Sequence, residues 1–268
     1  MFGLGMTLVG TCGFGLLVRA GGGDLRAAAS AVVVGVFAMA VTAGLLAPLR
    51  IWLIELDVID LTSTGGVSLV AMAQKLAGKW LSIVVIAALI SMLLLAPFLD
   101  RRLRQRPRLL IGSILMGLSI TAGWFATSRA MDALALDRPE SLSFVAPVGR
   151  ALLQLMMEPF RNVGFGVAAM FGVLTASLAV AIWRAELRWE AFDDATEMRR
   201  HVLGGALMGV GGVLAQGCTI GQGMSAASTL TITAPIFIAC VIAGAKLGLL
   251  HLIEGRSLWR LGRSQRTD

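Results

Sequence analysis

Five stretches of this chain, residues 27–47, 80–99, 109–127, 163–183 and 235–252, run for 18 to 21 residues with almost no charge. At the 1.5 Å helical rise each is long enough to cross the ~30 Å hydrocarbon core of a bilayer. Composition agrees, with 57% of 268 residues hydrophobic and only 15% charged. A soluble fold of this length would need far more charge on its surface. Lipid offers no hydrogen bonds, so spanning segments must satisfy their backbones internally. The sequence therefore predicts an all-α integral membrane protein, a polytopic helix bundle.

The net charge of +7 comes almost entirely from arginines clustered at the ends of apolar runs. Segment 100–108 carries five of them, and 184–201 carries four diluted by five acids. The bias of basic residues toward the cytoplasm places both loops there, and the C-terminus "EGRSLWRLGRSQR" with them. Segments 49–62 and 128–146, which contain Glu55, Asp57, Asp60, Asp132 and Asp137, then fall outside. Two shorter pieces carry polar stripes at helical spacing: 67–79 with Ser68, Lys75 and Lys79, and 147–158 with Arg150, Gln154 and Glu158. They either lie in the interface or dip partway into the membrane, or present a solvated face on connecting helices. Arg150 and Arg161 read as headgroup anchors, with a funnel for anions as the alternative. This use of the arginines leaves no basic patch of the kind that binds nucleic acid. No cleavable leader is evident, because the first basic residue, Arg19, follows the opening apolar run.

The glycine-rich blocks are organised. "GLGMTLVGTCGFG" (3–15) and "GVGGVLAQGCTIG" (209–221) share the spacing Gly-x-Gly, six residues, Cys, two residues, Gly. With an offset of 206, Gly3, Gly5, Cys12 and Gly15 fall on Gly209, Gly211, Cys218 and Gly221, which marks an internal repeat. Repeat one occupies about 1–99 and repeat two about 109–252, within a single transport domain spanning 1–268. After Cys12 the connection holds Arg19 and Arg26, whereas after Cys218 it holds no charge, so the copies should be inverted. Inverted repeats with glycine-interrupted segments at matching positions point to a transport site near the membrane midplane.

Glycines either let helices approach closely or let the backbone break so that its amides face a solute. A break creates a half-helix N-terminus, which favours an anion. The expected pathway backbone is Gly5, Gly10, Gly13 and Gly15 in the first block and Gly211, Gly217 and Gly221 in the second. A thiol brings a soft, polarizable atom that suits another sulfur better than hard oxygen. Cys12 and Cys218 are the expected substrate contacts, and Cys240, outside any glycine pattern, is an apolar filler. Lys246, about six residues before the end of its span, either snorkels to the surface or draws anions to the inner exit. The three cysteines form no CxxC, and His201 and His251 have no partner spacing, so neither metal nor cofactor is expected.

These blocks, together with "RPESLSFVAPVGR" and "RHVLGGALMGVGGVLAQGCTIGQGMS", resemble the YeeE/YedE family of bacterial inner-membrane sulfur transporters over essentially the whole chain. The resemblance implies a compact bundle with short helices dipping in from both faces to a narrow waist. There cysteines, here Cys12 and Cys218, would pass thiosulfate inward through sulfur-centred hydrogen bonds. Family members carry a further apolar region with another cysteine ahead of the first block. Here Met1 immediately precedes that block, so a shortened or truncated chain is expected. The partners implied are thiosulfate or a similar sulfur anion, the bilayer, and a soluble cytoplasmic sulfur carrier.

Two other readings stay open. One is a sulfur-transfer protein forming a cysteine persulfide, which needs a low-pKa thiolate beside a base, and neither block contains Lys, Arg or His. The other is a non-transporting membrane partner of a sulfur carrier. The sequence has no GxxxxGK[ST] motif, and the expectation is a transporter rather than an enzyme.

Overall fold

In a computed structural model the chain is all-helical. Residues 1–56, 105–131, 139–157 and 163–254 are described, with isolated positions 68, 83, 84, 87 and 91 between them. The expected span 80–99 and the short segment 67–79 lie outside the described residues apart from those isolated positions, as does Arg161.

The first half supplies α1 (Phe2–Val9), α2 (Gly13–Gly21), α3 (Leu25–Thr42) and α4 (Ala47–Leu56). The second supplies α5 (Pro107–Arg129), α6 (Val145–Met157), α7 (Phe165–Trp183), α8 (Ala195–Leu214) and α9 (Thr233–Glu254). A π-helical turn, Gly221–Ser225, and one further turn, Ala226–Ser228, precede α9. Among the described residues, α3, α5, α7, most of α9 and the α1–α2 pair are long and apolar enough to cross a membrane. α6, with 13 residues, reaches only about 20 Å, too short to cross a bilayer, and Glu158 of its polar stripe lies outside the described residues.

Three expectations are corrected. The broken pair Phe2–Gly21 is itself of spanning length, although the sequence reading did not count it. The span expected at 27–47 ends at Thr42: Ala43 and Gly44 both donate to Met39 O and close the helix. α4 follows, with Pro48 in its first turn where no amide donor is needed, within the segment 49–62 expected to connect two spans. The charged stretch 184–201 is not all loop, since α8 starts at Ala195. Glu197 in its first turn reaches back past the N-cap Asp194 to accept from Asp193 N–H at 3.4 Å.

Charged side chains tie the α2–α3 turn to the 184–201 connection. Asp24 caps α3 by accepting from Arg26 N–H and Ala27 N–H, and it pairs with Arg19 at 2.6 Å. Arg26 continues the network to Glu190 and to Glu197, the latter at 3.1 Å. Beneath it, buried His201 shares a hydrogen bond with Ser30 at 2.9 Å. Both connections therefore sit on one face, hereafter the arginine-rich face, as their common charge predicted.

Burial raises the Asp24 carboxyl, but the Ala27 amide, Arg19 and Arg26 outweigh it and hold the group below its usual range. A depressed carboxyl stabilises the fold above its unfolded value of 3.8 and loses that contribution as pH falls below it. Asp24→Ala should cost about 1 kcal/mol for the cap, and more for the arginines left unpaired. Asp24→Asn keeps the cap and should fall between. Thermal unfolding of the detergent-solubilised protein at neutral pH measures both, and equal midpoints for all three proteins would remove the role given to Asp24.

Small residues set the central packing. α8 turns Gly204, Gly205, Gly209 and Gly212 toward α1, α3 and α6. Gly211 meets Phe2 while Gly204 meets Val9, so α1 and α8 run antiparallel. Gly3 lies against Val241 O and Ala245 N of α9, where a Cβ would come within 2.9 Å of the latter. Gly209, its counterpart, lies against Val34 O and Ala38 N of α3, at 2.6 and 3.1 Å from such a Cβ. The glycine-bearing helix of each block, α1 or α8, thus packs in parallel on a spanning helix of the opposite half. This exchange is self-complementary, as a two-fold relation requires, and is consistent with inverted copies. It also brings the end of α9 to the arginine-rich face.

Candidate functional site

Both glycine–cysteine blocks break at the same place. α1 ends at Gly10 (φ 83), Thr11 follows, and Cys12 is the extended N-cap of α2, its carbonyl accepting from Leu16 N–H at 2.9 Å. In the second block, Gln216 has φ 57, Gly217 follows, and Cys218 O accepts from Gln222 N–H at 2.8 Å. Gly10 and Gln216 share the 206 offset and the left-handed backbone. Glycine adopts it freely, whereas a residue with a side chain pays roughly 1–2 kcal/mol. The second half-helix opens as a π turn, with Ser225 N–H bonded to Ile220 O at 2.8 Å, a form frequent at functional sites.

Cys218 is 1% exposed. Its Sγ accepts from Gly221 N–H at 3.5 Å, and the amides of Phe144 and Ile220 also approach it. Cys12, half-buried, lies close enough to interact with it electrostatically. Phe144 joins the two breaks, since its ring packs on Phe14 of α2 at 5.2 Å while its amide faces the Cys218 sulfur. Converging backbone N–H groups at a half-helix start are a setting for negative charge, and here a soft sulfur sits among them.

The expected pathway glycines divide by what they touch. Gly10 has nothing near its missing Cβ, so its need is conformational. Gly217 seats Gln222 and Gly221 seats Ser143, with Cβ distances of 2.9 Å in both cases. Gly15 lies under the Thr11 hydroxyl, and Gly13 makes ordinary contact with Val145. Gly5 and Gly211 stand at helix crossings instead, against Gly204 and Phe2, so packing accounts for them. Lys246 is exposed on α9 among Ile242, Leu249 and Ile253, and the structure does not bring it to the cysteines. Cys240 is likewise exposed on α9.

The sequence reading missed several neighbours. Met6 sulfur accepts from the Thr219 hydroxyl at 3.6 Å, adding a second soft atom beside Cys218. The segment 139–144 runs without helix into the core. Hydroxyls satisfy its backbone: Ser225 bonds Leu142 O, and Thr127 bonds both Glu140 O and Glu140 N–H. The run "SLSF" ahead of an apolar helix was the available signal. A cavity of ≈440 Å³ opens on the face opposite the arginine-rich one, with Gly217 and Gly221 in its lining.

A family model described as sulphur transport matches residues 1–247. The chain belongs to that family, the one its glycine–cysteine blocks resembled. It is also similar to the protein named thiosulfate transporter TsuA of Escherichia coli strain K12, with 28% identity over 134 residues. The match covers 50% of this chain and 36% of that protein, about a third of its length. Family and helices together make this a multi-pass membrane protein of the sulphur-transport family.

Proposed function

We propose that the chain takes up thiosulfate, or a closely related sulfur anion, across the bacterial inner membrane, handing it between Cys218 and Cys12 at the meeting point of two inverted half-helices. The observation that carries this reading is the cradle at Cys218, where a buried thiol lies amid the amides of Gly221, Ile220 and Phe144, with Cys12 in electrostatic reach. Backbone donors alone would treat sulfate and thiosulfate alike, because the two ions carry equal charge. Soft sulfur contacts supply the difference. The repeats proposed are about 1–99 and 109–252. The arginine-rich face is cytoplasmic, so segments 100–108, 184–201 and the C-terminus face a soluble sulfur carrier that would receive the product. The match to a thiosulfate transporter supports the substrate, and the family supports transport rather than catalysis.

The test is reconstitution. Liposomes containing the purified protein should accumulate labelled thiosulfate at least about tenfold faster than labelled sulfate, a difference of ~1.4 kcal/mol. Equal rates would remove the purpose assigned to the thiols. Reporters in 100–108, 184–201 and after the last helix should all read the cytoplasm, and a split among them would overturn the proposed orientation.

A further inference from the structure

We propose that His201 is a proton sensor on the arginine-rich face, where taking a proton at Nε2 loosens the seam between α3 and α8 and slows uptake; this rests on the transport reading above. The imidazole is 4% exposed, and no step of the anion's passage uses it. Its Nδ1 stands 2.9 Å from Ser30 Oγ, and that hydroxyl donates its one proton to Arg26 O at 2.8 Å. Ser30 therefore accepts from the ring, so in the neutral histidine Nδ1 carries the hydrogen and Nε2 the lone pair. Nε2 faces Glu197 Oε1 at 3.9 Å, beyond hydrogen-bond reach. Two acceptors opposed across that gap become an ion pair when one proton arrives.

Charged groups surround the ring on several sides. Glu197 and Arg200 come from α8 itself, Arg19 from α2, and Arg26 with Asp24 from the start of α3. The connection 184–194 adds Glu190, bound to Arg26, and sets Phe192 against the ring, with centroids 5.4 Å apart and planes at 77°. α1 brings no ionisable side chain to α8, and Arg150 of α6 lines the cavity on the other face. α8 is not one of the apolar spans, and His201 lies in its second turn next to Arg200. Burial, with the guanidiniums of Arg200, Arg19 and Arg26, holds the imidazole below its ordinary 6.5, and Glu197 opposes them. The ring is therefore neutral at neutral pH and charges only in acid.

Charging it disturbs two contacts at once. The Glu197 oxygen that faces Nε2 already accepts from Arg26 at 3.1 Å, and Arg26 also holds Glu190 of the connection. An imidazolium competes for that oxygen. It also places a charge in a closely packed seam, where a Cβ on Gly205 would stand 3.1 Å from Ser30 O. A buried charge is costly unless fully paired, so protonation favours a looser seam. The two helices of the seam serve the two thiols: α3 follows the Cys12 half-helix across the Asp24 turn, and α8 runs into the break at Gln216 and Cys218. Slack between them disturbs the alignment of Cys12 with Cys218.

The experiment follows labelled thiosulfate uptake into liposomes from about pH 8 to about pH 5, the range in which an ordinary histidine titrates, together with the thermal midpoint of the purified protein. Thiosulfate keeps both its charges throughout. Wild-type uptake should hold at the upper end and fall severalfold toward the lower. The unfolded histidine takes its proton first, so the midpoint should be level above 6.5 and decline below it. His201→Asn puts an amide where Nδ1 stands, keeps the bond to Ser30 and takes no proton, so it should lose most of both declines. Glu197→Gln still accepts from Arg26 but withdraws the charge that favours the imidazolium, and its uptake decline should move about one pH unit lower. That variant carries the test if His201→Asn does not fold. Level wild-type uptake across the range would overturn the sensor, as would a wild-type profile in His201→Asn or, where that variant is unfolded, in Glu197→Gln. A wild type that transports nothing, but whose midpoint declines in acid while that of His201→Asn stays level, would keep the proton site and refute the transport reading instead.

Discussion

Cys218→Ala should reduce thiosulfate uptake nearly to background while leaving the amount of membrane-inserted protein close to wild type. The residue is 1% exposed, so an anion at that depth has left water and relies on the groups beside it. Removing the thiol leaves a desolvated charge short of a donor, which is costly in low dielectric. The fold should tolerate the change, because taking one atom from a small buried side chain costs on the order of 1 kcal/mol. Cys218→Ser keeps a donor but loses the polarizable atom and should fall between. Cys12→Ala should resemble Cys218→Ala, since the two residues hold matching places in the two breaks. Cys240, exposed on α9, should transport normally as alanine. Labelled uptake normalised to inserted protein reads all of these. Wild-type rates from both Cys12→Ala and Cys218→Ala would reduce the cysteines to packing.

The sequence made the spans and the breaks legible for different reasons. Spans announce themselves because lipid forbids charge over a fixed length, and the structure places helices on all four of the expected runs that lie among the described residues. The breaks could be found because glycine spacing around a thiol recurs at one offset. The same offset relates Gly10 to Gln216, a left-handed pair that residue types do not match and that only the structure shows. What could not be read was any contact made across the chain. Phe144 is an ordinary core aromatic in the sequence, and only the entry of segment 139–144 beside Cys218 gives its amide a role. Arg50 stands in no pattern in the sequence, and only the fold places it in the lining of a cavity. Gly5 and Gly211 matched the pathway pattern but serve helix crossings, because close packing and backbone breakage select the same residue. Lys246 was weighed by its depth along a helix, and depth says nothing about which face it occupies.

Gly209→Val should prevent accumulation of folded protein, and Gly3→Val should do the same through a different pair of helices. A Cβ at Gly209 would stand 2.6 Å from Val34 O and 3.1 Å from Ala38 N, and at Gly3 it would stand 2.9 Å from Ala245 N. These neighbours are backbone atoms of long helices, which cannot rotate aside as a flexible side chain can. Overpacking a core typically costs about 1–3 kcal/mol, and a clash against backbone lies at or beyond the upper end. Valine itself is well accepted in membrane helices, so Gly117→Val and Gly172→Val, with nothing within 4 Å of their Cβ positions, should insert and melt as wild type. Monodisperse yield after detergent extraction, together with the thermal midpoint, separates these outcomes. Normal yield from Gly3→Val and Gly209→Val would mean that the close crossings do not hold the bundle together. If they do hold it, the consequence reaches the site. α1 rests on α9 and α8 on α3 at these two glycines, and the breaks at Cys12 and Cys218 lie only nine residues beyond each. A crossing forced apart by one methyl group therefore separates the two thiols before it unfolds the helices. Gly209→Ala, the mildest such change, should lose uptake out of proportion to its loss of stability.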